Sequence, residues 1–342
     1  MRYKLFGRSG LRVSEVCLGT MTFGNDWRAG LGTDRATSRA IFDVFAEAGG
    51  NFIDTAHLYS YAGLNGEDLV GEFICADRDH FVVSTKYALS RGDELVRSGS
   101  SRKNMMRCVE ESLKRLKSDY IDIYWLHVWD GSTPIDEILR GFDDLVSAGK
   151  VHYIAISDTP AWQISRAVTL AELRGWSRFC GVQVEYNLLE RTAERELLPM
   201  AAELGLAVCA WSPLAGGKLS GKYVGESSGG GRHSDKSVPE RERSLLRVVI
   251  ETAQKMGCTP SQVALAAMRQ MGNYSCVIPI LGARTSSQML ENLGSLDVEI
   301  GSEYLRRLEE ESSIELGFPH TVLSAVRSLA YGGTPELLDK PP

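Results

Sequence analysis

Eight short apolar runs, separated by amphipathic segments, constrain the fold of this chain more than any other feature. Each run has five to seven residues, as is typical of strands buried in a parallel sheet. Segments between them, such as SRAIFDVFAEAG and RKNMMRCVEESLKRL, place apolar residues at i, i+3, i+4 and i+7, the pattern of a helix with one buried face. The runs cover residues 16–20, 51–56, 81–86, 121–127, 151–157, 181–186, 206–212 and 276–281.

Eight alternating βα units predict one α/β domain over residues 1–342, a (β/α)8 TIM barrel. The stretch YKLF-GRSG-LRVSE predicts an N-terminal β-hairpin that caps one end. A doubly wound open sheet is the alternative, but MTFG follows the first run where that fold carries G-x-G-x-x-G. Residues 225–237 are polar and glycine-rich, which predicts either a disordered surface loop or a flap near a ligand, and residues 317–342 are a tail without an assignable motif.

Composition and charge narrow the functional classes. The chain is 43% apolar and 24% charged, as in an ordinary globular protein, and its net charge of -6 argues against nucleic-acid or anionic-membrane partners. It has neither an apolar run long enough to span a membrane nor the apolar core of a signal peptide at its start. The seven cysteines show no C-x-x-C spacing and are typical of reduced thiols, which predicts a cytoplasmic protein. Oligomeric state stays open.

Polar residues mark the ends of three consecutive predicted strands. Asp54, Lys86 and His127 stand there, and Tyr59 follows Asp54 by five residues. Taken singly, the lysine is typical of a solvated charge, the histidine of a structural residue and the tyrosine of a packed ring. Because barrel strands bring their carboxyl ends to one face, the four together predict an active site.

These four residue types suit proton transfer to a carbonyl oxygen. A free tyrosine titrates near ~10, and a neighbouring ammonium favours the phenolate, so we expect Lys86 to lower the pKa of Tyr59. Asp54 would hold Lys86, and His127 would orient the carbonyl. The sequence has no H-E-x-x-H motif, clustered carboxylates or serine elbow, so no metal site is expected. A carbonyl reduction also needs a hydride donor, which only a cofactor supplies.

The chain resembles the aldo-keto reductase family from residue 7 to about residue 311. The resemblance rests on GRSGLRVSEVCLGTMTFG, NFIDTAHLY, VVSTK, SDYIDIYWLH, AGKVHYIAIS, VEYNLLER, WSPLAGGKLSGKY and GARTSSQMLENL, in family order. It implies a barrel that binds NADPH/NADP in extended form at its C-terminal mouth. It also implies Tyr59 as general acid, with Asp54, Lys86 and His127 completing a catalytic tetrad.

The resemblance further implies a set of cofactor-binding residues. Asp158 departs from the pattern, because the family usually has Asn there and a carboxylate cannot donate to the carboxamide. Arg284 suits a 2′-phosphate and favours NADPH over NADH; the alternative is a surface charge. The implied residues are Ser157, Asp158 and Gln183 at the carboxamide, Trp211 stacked on nicotinamide, Gly19, Thr20 and Met21 under the ring, Ser212, Pro213, Leu214, Gly216 and Lys218 at the pyrophosphate, and Gly282, Ala283, Arg284, Gln288, Glu291 and Asn292 at the adenosine end.

The expected function is the reduction of an aldehyde or ketone to the alcohol, reversible in principle. An aromatic rim would select apolar or aryl carbonyl substrates, although each of its residues could equally be a packing aromatic. Two alternatives stay open: a slow-turnover nucleotide-binding subunit resembling potassium-channel β subunits, and a metal-dependent lyase on the same barrel. The candidate rim residues are Trp27, Tyr61, Trp129 and Phe318.

Overall fold

The computed structural model describes residues 1–24, 32–61, 64–90, 92, 95–222, 239–271, 277–337 and 339. The glycine-rich loop 225–237 and Trp27 lie outside these residues, as does the side chain of Tyr61. The strands are β1 (Tyr3–Leu5), β2 (Arg12–Ser14), β3 (Cys17–Gly19), β4 (Phe52–Asp54), β5 (Ser60–Tyr61), β6 (Leu64–Asn65), β7 (Val82–Tyr87), β8 (Ile121–Leu126), β9 (Val151–Ser157), β10 (Phe179–Glu185), β11 (Ala207–Trp211) and β12 (Val277–Leu281).

Eight of these strands form a closed parallel barrel, which confirms the predicted (β/α)8 fold. Its order is β3-β4-β7-β8-β9-β10-β11-β12, and β12 pairs with β3 to close the ring. Each predicted run overlaps one barrel strand, although β7 extends one residue beyond its run and β10 begins two residues before its run. The doubly wound alternative is wrong, because closure leaves no sheet edge.

Helices surround the barrel and follow its strands. Several begin at side-chain caps; for example, Asp34 caps the first helix by accepting from the Thr37 amide, and Thr259 forms a capping box with Gln262. Their bounds are α1 (Arg35–Glu47), α2 (Gly66–Ile74), α3 (Arg102–Leu116), α4 (Ile135–Ser147), α5 (Ala161–Arg174), α6 (Leu197–Leu204), α7 (Glu240–Met256), α8 (Pro260–Gln270), α9 (Ser286–Leu293), α10 (Ser302–Ser312) and α11 (His320–Ala330).

The predicted N-terminal hairpin, β1–β2, is present, with Tyr3 opposite Ser14. Phe6, in its turn, is fully buried and packs edge-on against Phe52 and Trp125, at centroid distances of 5.8 and 6.1 Å. These aromatic side chains belong to the apolar filling of the barrel. The hairpin therefore closes the end of the barrel at which the strands begin, and the opposite end carries polar side chains.

The tail beyond α10 contributes little to the core. All residues of α11 other than His320 are exposed, and Phe318 before it is 85% exposed. Among the described residues, no helix is long and apolar enough to cross a membrane.

Candidate active site

A buried ion pair lies at the carboxyl end of the barrel strands. Lys86, on β7, is fully buried and donates hydrogen bonds to Asp54 Oδ2, at the end of β4, and to the carbonyl of Thr55 (2.8 Å). The other oxygen of Asp54, Oδ1, accepts from Ser84 Oγ (2.7 Å) and Gln183 Nε2 (3.3 Å). Buried charges are costly unless paired and hydrogen-bonded, and both conditions hold here. The hydrogen bonds to Asp54 and Thr55 therefore fix the position of the Lys86 ammonium group.

Tyr59 and His127 lie directly beside this pair. The Lys86 Nζ atom is 5.2 Å from the centroid of the Tyr59 ring, and the rings of Tyr59 and His127 meet edge to face at 6.1 Å. The loop that carries Tyr59 is anchored, because the His57 amide donates to the Lys86 carbonyl (3.0 Å). The structure thus brings together all four residues that the strand ends predicted.

Burial decides the protonation of the tyrosine. Desolvation raises the pKa of Tyr59 above its ordinary value, and Lys86 opposes this by attraction and a hydrogen bond, while Asp54 and Asp158 add to the rise. Lys86 alone would lower the pKa of Tyr59, as the sequence predicts. The net shift is nevertheless upward, so the predicted lowering of this pKa is wrong. The phenol therefore keeps its proton at neutral pH.

The imidazole of His127 is neutral at physiological pH. Burial, together with the positive charge of Lys86, lowers the pKa of His127 to about 3. Its Nδ1 atom is buried and has no hydrogen-bond partner within the part of the chain that the structure describes. A neutral imidazole has one N–H group, which can donate to a carbonyl oxygen without adding a second cation beside Lys86.

Residues expected at the nicotinamide end lie on adjacent strands. Ser157, last in β9, donates to the Gln183 carbonyl (3.1 Å), and Gln183 reaches Asp54 as described above. At the end of β11, Trp211 is half-buried, and its Nε1 donates to Asp158 Oδ1 (3.3 Å). On the other side, the Thr20 amide and hydroxyl both donate to the Asp54 carbonyl, which places Gly19 and Met21 at the same edge.

The segment expected at the pyrophosphate turns sharply after β11. Ser212, Ala215, Gly216 and Gly217 all have positive φ, at 54°, 50°, 67° and 95°. Pro213 is buried and Leu214 half-buried, which anchors this turn. Lys218 Nζ pairs with Glu242 Oε2 of α7 (2.8 Å).

Beyond β12, the segment expected at the adenosine leads into α9. Thr285 caps this helix by accepting from the Gln288 amide (3.2 Å), and Gln288 Oε1 accepts from the Arg284 amide (2.8 Å). Asn292 donates to the Gly282 carbonyl (3.3 Å), and the Ala283 carbonyl accepts from Thr22 (3.0 Å). Arg284 is exposed, and Glu291 on the same helix is half-buried.

These groups follow one arc of the barrel mouth and fit an extended dinucleotide. Strands β9, β10, β11, β12 and β3 are consecutive neighbours in the barrel, so their end residues form a continuous track. Strand β9, at one end of this arc, is the neighbour of β8, which leads into His127, and the segment after β12 carries the exposed Arg284. A Cβ atom added at Gly217 or at Gly282 would meet nothing within 4 Å, so the backbone is open at both positions.

One aromatic of the expected substrate rim packs against a residue that sequence reasoning missed. Trp129, after β8, is half-buried and meets Trp162 edge to face at 5.8 Å, while its indole N–H donates to the Thr133 carbonyl (3.2 Å). Trp162 is 57% exposed and is the second residue of α5, the helix that follows β9, a position that could have identified it. Phe318 is in the exposed tail described above.

Two further features were not found from the sequence. Ser84 precedes Lys86 by two residues on β7, the spacing that puts both on one strand face, and this period could have identified it as a partner of Asp54. A cavity of about 260 Å³ also adjoins Trp211, and it is lined by the carboxylates of Asp158, Glu185 and Glu190. Among the described residues, no group of three or more His, Cys, Asp and Glu side chains could hold a metal ion.

The fold and site define a class of barrel oxidoreductases in which a tyrosine lies between a buried Lys–Asp pair and a histidine. The chain belongs to the aldo/keto reductase family, whose model matches residues 15–312. It is 37% identical to a norsolorinic acid reductase of Emericella nidulans, over 92% of this chain and 82% of that protein. An aryl-alcohol dehydrogenase [NADP(+)] of Phanerodontia chrysosporium is 35% identical (91% and 86%), and an uncharacterized oxidoreductase of Bacillus subtilis is 37% identical (91% and 95%).

Proposed function

We propose that this protein is an NADPH-dependent oxidoreductase that reduces an aldehyde or ketone to the alcohol, with Tyr59 as the general acid. The observation that carries the proposal is the contact of Tyr59 with the buried Lys86–Asp54 pair and with His127. Bound NADPH supplies the hydride.

The four side chains orient the carbonyl, supply the proton and stabilise the charge that remains. The neutral imidazole of His127 donates a hydrogen bond to the carbonyl oxygen and orients it. Tyr59 gives that oxygen its phenolic proton as negative charge develops there. Lys86 then stabilises the phenolate that remains, and Asp54 keeps the ammonium in place. The charges needed after proton transfer are thus fixed before the substrate binds, which avoids a reorganisation cost.

NADPH is assigned to the arc from β9 to α9. Ser157 and Gln183 would hold the carboxamide, Trp211 would pack on the ring, and the turn from Ser212 to Lys218 would hold the pyrophosphate. Arg284 would bind the 2′-phosphate, because its planar guanidinium matches a phosphate and lies at the start of α9. The name of one relative, an aryl-alcohol dehydrogenase [NADP(+)], supports this cofactor.

The substrate class follows from the rim and the relatives. The packed indole rings of Trp129 and Trp162 lie in the segments that follow β8 and β9. The names of the relatives refer to aryl alcohols and norsolorinic acid. We therefore propose aryl or apolar carbonyl substrates, a single domain over residues 1–342, and a cytoplasmic location, the last supported by seven cysteines that show no C-x-x-C spacing in the sequence.

NADPH oxidation across a panel of aryl and alkyl aldehydes and ketones tests the function, with the matching alcohols and NADP⁺ in reverse. We expect turnover in both directions, unchanged by chelator. NADPH binding without turnover would instead favour the slow regulatory subunit, and activity lost to chelator would favour the lyase.

A further inference from the structure

Asp158 holds a carboxylate at the barrel mouth in a backbone conformation that most residues avoid. It is the first residue after β9, and its φ of 40° lies in the left-handed region, which Asp and Asn tolerate better than other non-glycine residues. Its amide donates to the Gln183 carbonyl (3.4 Å), and its Oδ1 accepts the indole N–H of Trp211 (3.3 Å). The conformation thus directs the carboxylate at the edge of the indole ring.

The charge of Asp158 reaches the catalytic residues. The negative charge of Asp158 contributes to the raised pKa of Tyr59, and the positive charge of Lys86 acts to lower the pKa of Asp158. Partial desolvation raises the pKa of Asp158 itself, and the hydrogen bond from Trp211 opposes that rise. Asp158 is exposed, so water partly screens its charge, but the carboxylate and Lys86 act with opposite sign on the same phenol.

Two more carboxylates reinforce the negative charge on this side of Trp211. Glu185 and Glu190 line the same cavity as Asp158, and no Lys, Arg or His side chain is among its described lining residues. Burial raises the pKa of Glu185, and repulsion from Glu190 and Asp158 adds to the rise. The nearby Lys86 is already paired with Asp54, so it only partly offsets these charges.

We propose that Asp158 is a positioning residue that fixes the Trp211 indole and places a negative charge beside the nicotinamide, favouring oxidised NADP⁺ over NADPH at this site. The inference rests on the proposed function, which assigns Trp211 to the nicotinamide. The oxidised ring carries one positive charge and the reduced ring none, so a nearby carboxylate stabilises the oxidised form selectively. Hydride transfer to the carbonyl carbon, with the Tyr59 proton going to its oxygen, would leave one positive charge on the cofactor, and Asp158 would favour this direction.

Asp158→Asn separates the two roles. Asparagine tolerates the same backbone conformation and keeps an oxygen that can accept the indole N–H, but it carries no charge. We expect this variant to weaken NADP⁺ binding on the order of tenfold, while NADPH binding changes less than about twofold. Calorimetric titration measures the affinity for NADP⁺, and the fluorescence of NADPH measures the affinity for NADPH.

Two matched variants complete the test. Glu203→Gln removes the same charge from an exposed position on α6 and should leave the ratio of the two affinities unchanged. Asp158→Ala removes the charge and the acceptor together, so both cofactor forms should bind more weakly than in Asp158→Asn. A thermal unfolding midpoint for each variant distinguishes these effects from a loss of folding.

The two proposals fail in different ways. If wild-type protein binds neither NADPH nor NADP⁺, the proposed function fails. If it binds both, and Asp158→Asn weakens both equally or neither, the charge role of Asp158 is wrong while the proposed function stands.

Discussion

The ammonium nitrogen of Lys86 lies 5.2 Å from the centroid of the Tyr59 ring, and Asp54 holds it there from the neighbouring strand. The lysine is inaccessible to solvent, so its field on the phenol is only weakly screened by water. Desolvation nevertheless dominates and raises the pKa of Tyr59. The contact therefore does not ionise the tyrosine in advance; it stabilises the phenolate when the proton leaves.

Tyr59→Phe should abolish reduction without abolishing cofactor binding. The ring that packs against His127 remains, and only the transferable proton is lost. We expect kcat for carbonyl reduction to fall by about 10²- to 10⁴-fold, with the NADPH dissociation constant close to that of the wild type. Stopped-flow turnover and fluorescence titration measure the two quantities. Turnover at the wild-type rate in this variant would show that Tyr59 is not the general acid.

Lys86→Met should destabilise the fold as well as inactivate the enzyme. The substitution leaves Asp54 as a buried carboxylate without its cation, and breaking such a pair costs roughly 3–5 kcal/mol of the free energy of unfolding. Adding Asp54→Asn removes the unpaired charge and should recover part of that loss, but not the activity. Urea denaturation of both variants measures this. Equal stability of the single and double variants would contradict the prediction.

His127 should stay neutral from pH 8 down to pH 5. Burial and Lys86 lower its pKa to about 3, against 6.5 in an unfolded chain, so the unfolded state binds more protons between these values. The stability contributed by His127 is therefore fully present above about pH 6.5 and is lost as the pH falls toward 3. NMR titration of the ring protons tests the assignment, with exposed His152 as a control. A midpoint near 6.5 for His127 would contradict it.

Much of the fold and the outline of the site could be predicted from the sequence. All eight barrel strands overlap predicted apolar runs, because parallel strands buried on both faces need continuous apolar residues. Asp54, Lys86 and His127 converge because a closed barrel brings all strand ends to one face.

Other features depend on side-chain conformation and on the amount of water excluded, which no sequence pattern encodes. The net rise in the pKa of Tyr59 reflects burial that outweighs the Lys86 charge, and the sequence shows only the charge. The packing of Trp129 on Trp162 likewise depends on rotamers. The hydrogen bond between Asp158 and Trp211 could not be predicted either, because it joins the ends of β9 and β11, two strands that are separated by β10 in the barrel.

Arg284→Ala should separate the two nicotinamide cofactors. Arg284 lies two residues before α9 and is exposed, so a phosphate can approach its guanidinium. NADH lacks the 2′-phosphate and should bind almost as before, whereas NADPH should lose the equivalent of one charge-assisted contact, about tenfold or more in affinity. Arg306→Ala, which removes an exposed guanidinium from α10, serves as the matched control. Equal weakening of NADPH and NADH by Arg284→Ala would place the 2′-phosphate elsewhere on the mouth.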